Sequence, residues 1–255
     1  MHWPHWRREP LDIAYLNSAL GQRIACRRRE GEEPTIVFLP GYASDMEGAK
    51  AQAVDAFAAE RGIGMLRFDY SGTGASDGSF DQGTLDGWLD ESLAVIDQLT
   101  VGPLVLVGSS MGGWLALLLA LRRADRVRGI VGIAAAPDFT EWAFGAEDRA
   151  TLERDGRIAE PNADGTPGRF FTRAFWESGQ QLRVMDSVIP VDCRVRLVHG
   201  DADSAVPVRI ATHLMQQLRS ADVQLTIIKS GGHRLSAPHE IGTILSVLAE
   251  LSGSR

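Results

Sequence analysis

Along the chain, short apolar and β-branched runs alternate with longer stretches whose apolar residues recur at helical spacing. The runs are Thr35–Leu39, Met65–Phe68, Leu104–Val107, Ile130–Ala134, Val195–Val198 and Val223–Ile228. Gly-rich turns lead from them into candidate helices at Glu47–Arg61, Leu85–Leu99, Met111–Arg123, Pro207–Arg219 and Pro238–Leu251. Continuously apolar strands alternating with helices predict a parallel sheet covered on both faces. Asp12–Ala14 and Arg23–Cys26 predict two opening strands, antiparallel to each other. No repeat of fixed period interrupts the pattern.

One region breaks the alternation. Between about Pro137 and Pro190 no strand is expected, and "EPNADGTPG" is dense in turn formers. The same stretch holds Phe139, Trp142, Phe144, Phe170, Phe171, Phe175 and Trp176, seven of the chain's eighteen aromatic residues. A connection of this length inside a compact domain is commonly functional. The expected organisation is one core from residues 1–136 and 191–255, with 137–190 inserted as a small helical lid. Phe139, Trp142, Phe171 and Trp176 are its candidate substrate-binding residues; the alternative is plain packing on the sheet.

Composition narrows the partners. The 255 residues are 44% hydrophobic and 23% charged, with a formal net charge of −7, values of an ordinary globular domain. An acidic chain repels phosphate backbones, so no nucleic-acid partner is expected. The clusters Arg27-Arg28-Arg29 and Arg122-Arg123 read as solvated faces. Cys26 and Cys193 stand far apart without a CxxC pattern and read as packed thiols in a reducing compartment. "MHWPHWRREP" has no apolar signal-peptide core and is too short for a transit peptide, so a cytoplasmic protein is expected. The longest apolar run, Trp114–Leu121, falls far short of a membrane span, so no stable membrane insertion is expected. His2 and His5 make a weak metal pair, and neither a metal nor another cofactor is expected. Sequence alone leaves the oligomeric state open.

The chemistry concentrates at "LVGSSMGG". Gly108-Ser109-Ser110-Met111-Gly112 fits G-x-S-x-G with Ser110 at its centre, after a strand and before a helix. Such a turn strains the nucleophile's backbone and requires small residues two positions either side. Ser109 lacks that framing, because Val107 and Met111 are large. The turn lifts the Ser110 hydroxyl to a helix N-terminus, where unpaired N–H groups favour developing negative charge. A serine needs a base, and in this architecture the partners follow in the order Ser, acid, His. Asp203, on the loop of "VRLVHGDADSAVPV", is the preferred acid; Asp201 is expected to bond the turn, and Asp138 is an outside candidate. His233, in "IIKSGGHRLS", is the preferred base. His199 is expected in the core or behind the site, His213 lies mid-helix, and His239 opens the last helix. The oxyanion donors expected are the main-chain N–H of Met111 and that of Tyr42, on "FLPGYAS".

These residues resemble the α/β-hydrolase superfamily over essentially the whole chain beyond its N-terminal tail. The strings "LPGYASDMEGAKA", "RFDYSGTGASDG", "GPLVLVGSSMGGWL", "IPVDCRVRLVHGDADSAVP" and "GGHRLS" are similar to its palmitoyl-protein thioesterase and acyl-glucuronide esterase group. The resemblance implies a mostly parallel eight-stranded sheet flanked by helices, and a serine hydrolase acting on carboxylic esters or thioesters of small-molecule or acyl-protein substrates. It carries over to Ser110, Asp203 and His233 as triad and to Tyr42 and Met111 as oxyanion donors. Arg169, Arg173 or Arg183 is a candidate to meet a substrate carboxylate such as a glucuronate. Carbon–carbon or amide hydrolysis on the same triad is one alternative. Ligand binding without turnover is another.

Overall fold

The computed structural model describes residues 11–18, 21–159 and 168–253. His2, His5 and most of "EPNADGTPG" lie outside them. Eight strands form one sheet: β1 (Ala14–Asn17), β2 (Arg23–Arg29), β3 (Glu32–Leu39), β4 (Ile63–Phe68), β5 (Leu104–Ser109), β6 (Val127–Ile133), β9 (Arg194–Gly200) and β10 (Val223–Ile228). Their order across the sheet is β1-β2-β4-β3-β5-β6-β9-β10. β1 pairs antiparallel with β2, and β2 antiparallel with β4, while the pairings from β4 through β10 are parallel. The opening strand lies slightly later than expected, at Ala14–Asn17 rather than Asp12–Ala14, because its pairing register with Arg23–Cys26 sets it, not its weak apolar pattern.

The crossover helices are α1 (Ala49–Arg61), α2 (Leu85–Leu99), α3 (Met111–Arg122), α7 (Val208–Gln217) and α8 (Pro238–Ser252). One apolar cluster packs the inner residues of α1 and α8, such as Val54, Phe57, Ile244 and Leu248, on one face of the sheet. The other joins α2, α3 and the segment between β6 and β9 on the opposite face, around Trp88, Trp114 and Phe175. β5 and α3 are buried almost throughout, which explains why their sequence shows no polar stripe.

Between β6 and β9 the chain forms α4 (Phe139–Trp142), α5 (Ala146–Asp155), β7 (Arg157–Ala159), β8 (Phe170–Thr172) and α6 (Arg173–Gln181). Here one expectation fails: β7 and β8 pair antiparallel, Arg157 opposite Thr172. Strands of three residues are too short to display a period of two, so the pattern left them invisible. Both cysteines are unpaired as expected, and burial pushes Cys26 up to about 12 and Cys193 up to about 11.

Candidate active site

All connections that carry the chemical candidates leave the carboxyl ends of parallel strands, the side where open α/β sheets place their ligands. Ser110 follows β5 directly and caps α3 with φ 54° and ψ −118°, a conformation that costs a non-glycine residue. Close packing enforces it. A Cβ on Gly108 would lie 2.2 Å from the Gly112 carbonyl oxygen, and one on Gly112 would lie 2.0 Å from that of Leu39. The main chain of Ser110 is pinned as well: its N–H donates to Ile133 at 2.9 Å, and its carbonyl accepts from Gly113 at 2.9 Å and Ala136 at 3.1 Å.

His233 stands on the loop after β10, and Asp203 on the loop after β9. The ring Nε2 of His233 lies 3.1 Å from Ser110 Oγ, and its Nδ1 lies 2.8 Å from Asp203 Oδ2. A carboxylate only accepts, so Nδ1 carries the hydrogen and Nε2 is left to accept from the serine hydroxyl. Asp203 Oδ1 accepts from the N–H groups of Ala205 at 2.9 Å and Val206 at 2.8 Å. Burial acts to raise the Asp203 carboxyl, but the His233 ring and these two amides outweigh it and hold the group below the usual carboxylate range. The site therefore lines up an ionised carboxylate, an imidazole held at both ring nitrogens, and a hydroxyl at a helix N-terminus.

Of the rival candidates, His199 is buried behind the acid. Its Nε2 donates to the Val206 carbonyl at 2.8 Å and lies 3.5 Å from Asp203 Oδ2. Asp201 bonds Lys229 and the Ser230 N–H. Asp138 accepts from the N–H groups of Val184 and Met185, and the partner of His233 is Asp203 instead.

The family model described as "Alpha/beta hydrolase family" matches residues 36–241. The chain belongs to the α/β-hydrolase family. It is 34% identical over 253 residues to the mouse mitochondrial palmitoyl-protein thioesterase ABHD10, covering 98% of this chain and 85% of that protein. To the human protein of the same name it is 33% identical, over 97% and 83% of the two chains. The solved structure of mouse ABHD10 superimposes with a TM-score of 0.88 at 34% identity, covering 94% of this chain and 98% of that one. A crystal structure from Agrobacterium vitis S4 gives 0.89 at 39% identity, over 96% and 100%. The eight-stranded, mostly parallel sheet flanked by helices is the α/β-hydrolase fold that the resemblance implied. Among the described residues, no helix is long and apolar enough to cross a membrane and no side-chain cluster is suited to a metal. The mammalian relatives are named as mitochondrial proteins, a compartment that differs from the cytoplasmic expectation.

A cavity of about 460 Å³ opens at Ser110 and His233 in this hydrolase. The β3–α1 loop forms one wall with Gly41, Tyr42, Ser44 and Asp45, continued by Lys50 at the start of α1; Arg169, Arg234 and Ser236 complete the rim. Gly41 passes so close that a Cβ there would meet Ser110 Cβ at 3.3 Å. The Tyr42 hydroxyl donates to the Phe170 carbonyl at 2.7 Å, and its ring stacks on Phe171 with centroids 4.6 Å apart. Phe139 and Phe171 are nearly fully buried in the aromatic cluster below. Trp142 donates to the Pro137 carbonyl and Trp176 to that of Thr140, which ties the segment between β6 and β9 to itself. None of these four aromatic candidates is among the residues lining this cavity. Of the three candidate arginines, Arg169 lines it; Arg173 pairs with Glu177, and Arg183 with Glu141 and Asp186. Lys50 and Arg234 also line it, and the sequence pattern drew attention to neither.

Proposed function

We propose that this protein is a serine hydrolase that cleaves carboxylic esters or thioesters through an acyl-enzyme on Ser110. The observation that carries the reading is the continuous chain Ser110 Oγ, His233, Asp203, with contacts of 3.1 and 2.8 Å, placed at the strained start of α3. His233 takes the hydroxyl proton as Oγ attacks the acyl carbonyl. The carbonyl oxygen becomes an oxyanion, and the N–H groups of Met111 and Tyr42 receive it. The first N–H groups of a helix have no partner within it, so the Met111 amide is suited to this role. His233 then delivers its proton to the departing alcohol or thiol as the tetrahedral intermediate collapses. Water, deprotonated by the same ring, attacks the acyl-enzyme and releases the acid and the serine. Asp203 stays ionised throughout and stabilises the imidazolium formed at each attack.

The name of the mammalian relatives supports an S-acyl substrate, and thioesters fit the mechanism without change. The segment 137–190 serves as a cap over the site, tied to the oxyanion loop by the Tyr42–Phe170 bond. A fluorophosphonate probe tests the assignment. Wild-type protein takes up one label per chain and Ser110→Ala takes up none; equal labelling of the two would refute it.

A further inference from the structure

The loop that brings His233 to Ser110 runs from the end of β10 to the start of α8. It contains Gly231 and Gly232, and two non-glycine residues with positive φ, Ser230 at 59° and Leu235 at 43°. Its ends are anchored. Asp201 accepts from the Ser230 N–H at 2.5 Å, and the Gly231 carbonyl accepts from Ala202 at 3.0 Å. On the far side Leu235 is buried against the α1 and α8 face, and Glu240 accepts from the Ala237 N–H at 2.7 Å. Between these anchors, the ammonium of Lys50 donates to the carbonyl oxygen of Arg234, the residue next to the histidine.

Lys50 is an unexpected residue for its place. It lies in the first turn of α1, where the helix dipole opposes a cation. Burial pushes its ammonium below the usual lysine range; Glu240 opposes that shift and Arg234 adds to it. A solvated lysine would avoid both costs, so the contact with the histidine loop is what this placement gains. The lysine also lines the cavity at Ser110 and His233.

Resting on the serine hydrolase reading, we infer that Lys50 is a positioning residue: its bond to the Arg234 carbonyl sets the height of the His233 ring over Ser110. A histidine displaced by about 1 Å transfers protons poorly while substrate binding is unaffected, and misplacements of that size cost on the order of 100-fold in rate. The test compares wild type, Lys50→Met and Lys50→Arg on a p-nitrophenyl acyl ester, with rates expressed per fluorophosphonate-titrated site. Lys50→Met is expected to lower kcat about 10- to 100-fold with KM changed less than about twofold, the pattern of a group that acts only in the chemical step. Lys50→Arg keeps the donor and recovers most of kcat. An unchanged kcat per titrated site in Lys50→Met overturns the inference, including when the titratable fraction itself falls, since that is a folding defect alone. A raised KM at constant kcat also overturns it, because Lys50 then holds substrate. A wild-type protein that neither labels nor turns over sinks the hydrolase reading itself, which an active wild type with an equally active Lys50→Met does not.

Discussion

At Ser110 the chain accepts local strain to expose one hydroxyl, and its neighbours leave it no alternative. Gly112 is the tightest of these: a Cβ there would sit 2.0 Å from the Leu39 carbonyl oxygen and 2.6 Å from that of Pro40. Neither obstacle is a side chain that can rotate away. Gly112→Ala must move the end of β3 or the start of α3, at a cost of about 1–3 kcal/mol or more. The expected result is a Tm lower by several degrees together with a fall in kcat on the p-nitrophenyl ester; unchanged values of both would mean that the β3–α3 contact has slack. This part of the site was legible because the glycines and the serine lie within five consecutive residues. Asp203 and His233 were legible for a related reason, since each stands on the loop after a recognisable apolar strand. Lys50 was not. Its partner, Arg234, is 184 positions away. Lys50 is one of only two lysines in the sequence, but nothing near it in the chain points to a loop so far away.

Among the elements, the segment between β6 and β9 shows how a buried carboxyl can fasten one stretch of chain to itself. Asp138 stands at the start of α4 with φ 55°, and its carboxylate accepts the N–H groups of Val184 at 2.9 Å and Met185 at 2.8 Å. The two ends of the segment are thereby joined above β6. Asp138→Ala leaves two amides without an acceptor and is expected to cost about 1–3 kcal/mol. Burial raises the Asp138 carboxyl above its ordinary range despite the amides. A group whose folded pKa is raised contributes most below its unfolded value, about 3.9, and progressively less as the pH climbs through the folded value. The stability gap between wild type and Asp138→Ala, measured by urea unfolding, should therefore be wider at pH 4 than at pH 8. A gap that widened with pH would show the ionised form to be the favoured one. The sequence marked this segment by its length and its aromatic content, but not its hairpin, and it offered Asp138 only as an alternative catalytic acid. The difference lies in tertiary context: which backbone amides meet a carboxylate is decided by folding, not by neighbouring residues.

Over the whole molecule, the parallel sheet gathers the chemistry. Strands β3, β5, β9 and β10 all end on one side, and their loops supply Tyr42, Ser110, Asp203 and His233, which are spread over most of the chain. The alternation of apolar strands and helices was enough to predict that arrangement, because strands covered on both faces have few other ways to connect. Of the basic groups on the cavity rim the sequence offered Arg169 alone; Lys50 and Arg234 come from separate segments that no local pattern joins. The central claim is that these loops assemble a nucleophile at position 110 and no other. Rapid mixing with excess p-nitrophenyl ester, followed by acid quench and peptide mass analysis, measures it directly. The account predicts a burst of about one nitrophenol per chain and an acyl mass increment on the peptide containing Ser110. Turnover without a burst, or an acyl increment on any other residue, would contradict it.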